Sequence, residues 1–164
     1  SAMNMQDIQD MAGVLPAALV LGTVPYNPRA PDDVRAARAQ FMQQYRPVFL
    51  QYLAATHAPA LVAMGLTPQA ITAMADTGDL PRIHAGEQLD ASVDHVHSLH
   101  AGGTNDVANM MLIPARFNAL KDKIEQVQLR GQTVPPTDLI TILPRDAAPV
   151  PFIAGGFKRS GKPT

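Results

Sequence analysis

The chain has 164 residues, 46% of them hydrophobic and 16% charged, with 15 prolines, 11 glycines and no cysteine. That length supports one domain with a buried core, and the missing thiols exclude disulfides and cysteine-ligated zinc. The formal net charge of −1 argues against a nucleic-acid binder until its distribution is followed. Residues 1–106 carry five basic and ten acidic side chains, and residues 107–164 carry eight basic and four acidic ones. Basic charge therefore gathers in the last third, as a phosphate-binding footprint does.

Residues 1–31 are broken by Pro16, Pro25, Pro28 and Pro31 and read as an extended lead-in. The apolar stretch 11–22 is interrupted by Pro16 and has no basic residues before it, so it is not a signal peptide. No run approaches the ~20 apolar residues of a membrane helix. Asp32 and Asp33 open a helical pattern, negative charge suiting the first turn. Val34, Ala37, Phe41, Tyr45, Val48 and Tyr52 follow at three- and four-residue spacing and predict its buried stripe. Pro47 should kink or split this helix near Tyr45. Thr67-Pro68 starts another helix, with a hydroxyl cap and proline at the first helical position, and Thr77-Gly78-Asp79 stops it. Residues 32–81 thus read as a helical subdomain.

Residues 83–89 suggest a strand or hairpin arm, with Ala85-Gly86 as its turn. Residues 91–99 and 109–113 read as two strands joined through Gly102-Gly103, which supply backbone freedom. Pro114 begins a helix whose buried face is Phe117, Leu120, Ile124 and Val127, and Gly131 ends it. Residues 132–164 are proline-rich, with an edge strand at 139–143 and a basic tail from Lys158.

Chemistry concentrates in residues 94–121, DHVHSLHAGGTNDVANMMLIPARFNALK. Asp94 and His95 precede Gly102-Gly103, then come Asn109 and, three residues apart on the helix, Asn118 and Lys121. This order and spacing over about thirty residues resembles the core of HNH, or ββα-metal, endonucleases. The resemblance implies an α+β fold: a mainly helical N-terminal part packed on a small ββα-metal core at 82–131. It implies His95 as general base, since a neutral imidazole titrating near pH 6.5 takes a proton from water at physiological pH. Asp94 and Asn118 correspond to the family's metal ligands. Their hard oxygens favour Mg²⁺ or Mn²⁺, with Zn²⁺ or Ni²⁺ as substitutes in crystals. Asn109 corresponds to the middle motif residue, which braces the connecting loop behind the catalytic histidine. Lys121, supported by Arg116, is placed for phosphate. His97, His100 and Asp106 are accessory candidates, Asp106 as a residue that orients His95. Asn105 and Asp106 otherwise read as turn-bracing residues. The family often has proline at the position of Ser98 and histidine at that of Asn118.

Strand alternation would send Asp94 and His95 to opposite faces, so both reach one phosphate only if the strand ends or distorts there, or if base and metal approach it from different sides. Upstream, the Leu66-Thr67-Pro68 helix followed by Gly78-Asp79-Leu80-Pro81 resembles the approach to HNH domains in bacterial polymorphic toxins and type VI secretion effectors. The implied function is a metal-dependent DNA endonuclease of little sequence specificity. It would be the toxic part of a secreted antibacterial effector, within a longer chain, acting in a target cell's cytoplasm and neutralised by a cognate, acidic immunity protein. An RNase toxin of the same fold and a non-catalytic nucleic-acid- or protein-binding module are the alternatives.

Overall fold

The computed structural model of the chain describes residues 3–81, 83, 84 and 87–158. Its elements are helix α1 (Met5–Met11), strand β1 (Leu19–Pro25), helices α2 (Pro31–Gln40), α3 (Arg46–Thr56), α4 (Ala58–Ala63) and α5 (Pro68–Thr77), and short strands β2 (Ile83–His84) and β3 (Glu87–Gln88). Strands β4 (Ser92–His95) and β5 (Met110–Ile113), helix α6 (Ala115–Leu129) and strand β6 (Asp138–Pro144) complete the chain. Helices and small antiparallel pairs together make an α+β fold. No helix among the described residues is long and apolar enough to cross a membrane.

The first thirty residues are more structured than their prolines suggest. Asn4 caps α1 in a reciprocal box with Asp7, and Ile8 is buried. Strand β1 pairs antiparallel with β6 along seven residues, Leu19 opposite Pro144 and Pro25 opposite Asp138. The proline-rich C-terminal segment supplies that partner, and also buries Val150 and Phe157 in the helical core. A pairing across more than a hundred residues leaves no local signal at either end. Residues 159–164 and the Ala85-Gly86 turn lie outside the described residues, although β2 and β3 flank the turn and pair as a hairpin.

Of the predicted stripe on the long N-terminal helix, Val34 and Ala37 are half-buried, Phe41 is buried, and the residues beyond it fall out of phase. Residues Phe41–Tyr45 form a π-turn between α2 and α3, with Arg46 N–H donating to the Phe41 carbonyl five residues back. Pro47 has no N–H for the Gln43 carbonyl, and widening the turn relieves that conflict. The extra residue rotates the following face. Phe49, Leu50 and Leu53 therefore enter the core, while Tyr45, Val48 and Tyr52 are exposed. Further along, Thr67 caps α5 by accepting from Ala70 N–H, and Gly78 closes it in the left-handed region.

Strands β4 and β5 pair with Asp94 opposite Met111 and His95 opposite Met110, and β5 runs through Pro114 into α6. The first strand is shorter than expected, because the chain turns away after His95 into a 3₁₀ turn at Leu99–Ala101. Helix α6 packs on both β4 and β6, with Ile124, Leu19, Ile8 and Ile142 forming a core on the β6 side. The opposite side of β4 and β5 faces the helices through Val93, Met110 and Leu112, which join Phe49, Leu53 and Met74.

Candidate active site

The end of β4, the loop after it and the first turns of α6 enclose a cavity of about 80 Å³. Asp94, His95, Ser98, Leu99, His100, Asn118, Lys121 and Asp122 line it, with Arg38 from α2. The alternation conflict between Asp94 and His95 is resolved by the strand's end: β4 stops at His95, and both side chains border the same space.

The loop from His97 to Asn109 is held by its own backbone and by residues 25–29. Asn109 accepts from His97 N–H (2.8 Å) and donates to the carbonyls of His97 (2.9 Å) and Thr104 (2.8 Å). It thus clips the loop shut and does not line the cavity. His97 does not line it either: its Nε2 contacts the carbonyls of Pro25 (2.8 Å) and Ala101 (2.9 Å). Arg29 donates to the carbonyls of Leu99 (2.6 Å) and Gly103 (2.5 Å). Gly102 sits at φ +103°, with the Asn27 carbonyl oxygen 2.7 Å from where a Cβ would stand. A Cβ at Gly103 would overlap the His97 carbonyl oxygen. Both glycines are required by close packing of backbone on backbone.

His95 is 5% exposed, with its ring tilted against Phe41 at 4.4 Å between centroids. Its Nε2 lies 2.8 Å from Asn105 Oδ1, while Asn105 Nδ2 donates to the Ala37 carbonyl at 3.0 Å. The Ala37 oxygen can only accept, so the amide's NH₂ must face it and the amide oxygen must face His95. Nε2 of His95 therefore carries the proton, and Nδ1 keeps the lone pair. Burial lowers the pKa of His95, and the charges of Arg38, Lys121 and Arg29 lower it further, against the opposing hydrogen bond to Asn105. The imidazole is thus neutral at physiological pH. Asp106, considered from sequence as the residue orienting His95, instead accepts from the Thr104 hydroxyl at 2.9 Å. The orienting place belongs to its neighbour Asn105, which by sequence alone reads as a turn-bracing residue.

Asp94 is the other unusual group. Its Oδ2 is buried without a hydrogen-bond partner among the described residues. The ammonium of Lys121 stands 3.7 Å away, an ion pair too long for a hydrogen bond. Burial raises the Asp94 pKa to about 6; Lys121 opposes the rise and the charge of Glu125 adds to it. Asn118 donates from Nδ2 to Ser92 Oγ at 2.8 Å.

Lys121, expected to meet phosphate, is 2% exposed. It donates to Glu125 Oε2 at 2.8 Å and to Ser98 Oγ at 2.9 Å. Glu125, one turn further along α6, also binds His100 Nε2 (2.8 Å), the Ser98 hydroxyl (3.0 Å) and the Thr141 hydroxyl (2.5 Å). Burial alone would raise its pKa, but the His100 contact, the charge of Lys121 and the hydrogen bonds outweigh it and hold the carboxyl at about 2. Arg116 lies off the cavity, bound to Asp90 at 2.5 Å and to the Gly156 carbonyl at 2.9 Å. Of the two predicted phosphate contacts, one is an internal counter-charge and the other anchors the C-terminal segment.

No protein-family model, curated protein or solved structure matches the chain.

Among the described residues no three His, Asp or Glu side chains gather into a metal cage. The donors present still fit a hard divalent ion held loosely. Asp94 Oδ2 is an anionic oxygen without a hydrogen bond among the described residues, and Asn118, which lines the same cavity, carries a hard amide oxygen. Asp122, one turn after Asn118, also lines the cavity and was not singled out from sequence. Its spacing of four from Asn118 was the available signal.

Proposed function

We propose that the chain is a metal-dependent endonuclease that hydrolyses phosphodiester bonds in DNA through a ββα-metal site. The observation that carries this reading is the meeting of Asp94, with its unpartnered oxygen, neutral His95 and Asn118 around one cavity. His95 Nδ1 accepts a proton from the attacking water, and Asn105 holds the ring in the tautomer that leaves this nitrogen free. Asp94 and Asn118 would hold the cation, Mg²⁺ or Mn²⁺. When bound, it offsets charge on the phosphate and on the departing oxygen. Lys121 and Glu125 fix the α6 side of the cavity, and Lys121 keeps Asp94 ionised more readily than burial alone would allow.

The resemblance to toxin nucleases adds a biological reading. The chain serves as the toxic part of a secreted antibacterial effector, grips DNA through its backbone without sequence preference, and is blocked in its producer by an acidic immunity protein. An RNase of the same fold is the second reading. It is favoured by His100, a second imidazole lining the same cavity and held by Glu125 at 2.8 Å. Incubating the protein with supercoiled plasmid and with total RNA, in Mg²⁺ or Mn²⁺ and in EDTA, separates these readings. Plasmid nicking that EDTA abolishes supports the DNase. RNA degradation with intact plasmid supports the RNase. Turnover of neither substrate in any metal refutes both.

A further inference from the structure

Phosphate must be met by positive charge, and Lys121 and Arg116, expected to supply it, are engaged elsewhere, as is nearby Arg29. Lys121 is buried against Glu125, Ser98 and Asp94. Arg116 is bound to Asp90 and Gly156, and Arg29 to the carbonyls of Leu99 and Gly103. One cationic side chain lining the cavity remains. Arg38 is exposed on α2 and borders the cavity beside Asp94, His95, Asn118 and Asp122. Its guanidinium makes no hydrogen bond or ion pair among the described residues, although two carboxylates line the same space. Arg35, one turn earlier on the helix, is by contrast paired with Asp32.

The same helix is coupled to the catalytic histidine. The Ala37 carbonyl, next to Arg38, fixes the amide of Asn105, which in turn fixes His95. Helix α2 packs on the 3₁₀ turn that carries His100. The backbone that positions Arg38 is therefore tied by hydrogen bonds to the ring that activates water.

We infer that Arg38 is the anchor for the scissile phosphate, so that α2 of the N-terminal helical part completes the active site on the ββα side of the chain. A planar guanidinium suits a phosphate because it donates two parallel hydrogen bonds to two oxygens. A lysine at this position keeps the charge and loses that fork. This inference rests on the nuclease reading and extends it by naming the group that receives the substrate.

The test measures binding and turnover separately. Wild type, Arg38→Ala, Arg38→Lys and the control Arg35→Ala are titrated with a fluorescent DNA duplex, without metal and over a range of salt. Each is then assayed for plasmid nicking with Mg²⁺. Arg38 has no internal partner, so its removal leaves folding intact. Thermal melts of the variants verify this. Arg38→Ala is expected to lower kcat/KM about 10- to 100-fold, the loss of a charge-assisted contact. It should also flatten the salt dependence of binding by about one phosphate. Arg38→Lys should restore the salt dependence but recover turnover only in part. Arg35→Ala should match wild type. If wild type nicks plasmid while Arg38→Ala equals it in affinity, salt dependence and turnover, the inference fails and the nuclease reading stands. If wild type neither binds nor cuts DNA, the DNA-endonuclease reading fails and this inference with it.

Discussion

Asp94→Asn should make the protein more stable while disabling its site. The wild-type carboxylate is buried, has an oxygen without a hydrogen bond, and has its pKa raised from 3.8 to about 6. A group whose folded pKa exceeds its unfolded value lends stability below the unfolded pKa and loses it as pH rises through the folded one. That loss runs from about pH 4 to about pH 6 and, for this rise, amounts to about 3 kcal/mol at neutral pH. The asparagine variant never ionises and escapes it. Lys121 keeps its closer partner Glu125 at 2.8 Å, so no cation is stranded. In EDTA at pH 7 the variant should resist urea better by about 2–3 kcal/mol, on the order of 4–12 °C in Tm. The advantage should shrink toward zero near pH 4. A variant less stable than wild type at pH 7, or an advantage independent of pH, would refute the placement of a strained carboxylate here.

Other perturbations follow from the same contacts. Asn105→Ala removes the acceptor at His95 Nε2. It should cut turnover about 10-fold or more, and the ¹⁵N spectrum of His95 should change from the Nε2–H tautomer to a mixture; an unchanged spectrum would contradict the tautomer assignment. Glu125→Gln weakens the compensation of buried Lys121 and the contacts to His100, Ser98 and Thr141, and should cost about 3–5 kcal/mol in denaturant unfolding. Because the Glu125 pKa is held down at about 2, its contribution is full above about pH 4.5 and lost as pH falls toward 2. Acid titration of wild type against the variant tests this window. Gly103→Ala places a methyl on the His97 carbonyl and should unfold the loop, read as loss of hydrogen-exchange protection at His97 and Asn109.

What the sequence made legible was what local chemistry encodes. Thr67 and Gly78 mark the ends of α5, Pro114 marks the start of α6, and Gly102-Gly103 separates the two stretches that pair as strands. The order Asp94, His95, Asn118 placed three side chains on adjacent elements, and they border one cavity. Longer-range matters were hidden. A seven-residue pairing of β1 with β6 cannot be seen from either strand alone. The π-turn at Phe41–Tyr45 shifts the helical phase by one residue, so a stripe counted at regular spacing selected Val48 and Tyr52 in place of Phe49 and Leu53. Within the site, a motif names residue types and not their partners. Lys121 reads as a phosphate ligand until Glu125 is seen beneath it. Arg38 reads as a helix surface residue until the fold brings α2 to the cavity. Asn105 and Asp106 are adjacent turn formers whose roles only the position of the Ala37 carbonyl separates.

The central claim is that His95 removes the proton from water at a phosphodiester. Single-turnover nicking of supercoiled plasmid by wild type and His95→Ala, in Mg²⁺ and with both variants shown to be folded, tests it most directly. The account predicts a fall in rate of about 10²- to 10⁴-fold for the variant and no cutting by either protein in EDTA. Nicking by His95→Ala at the wild-type rate would contradict it.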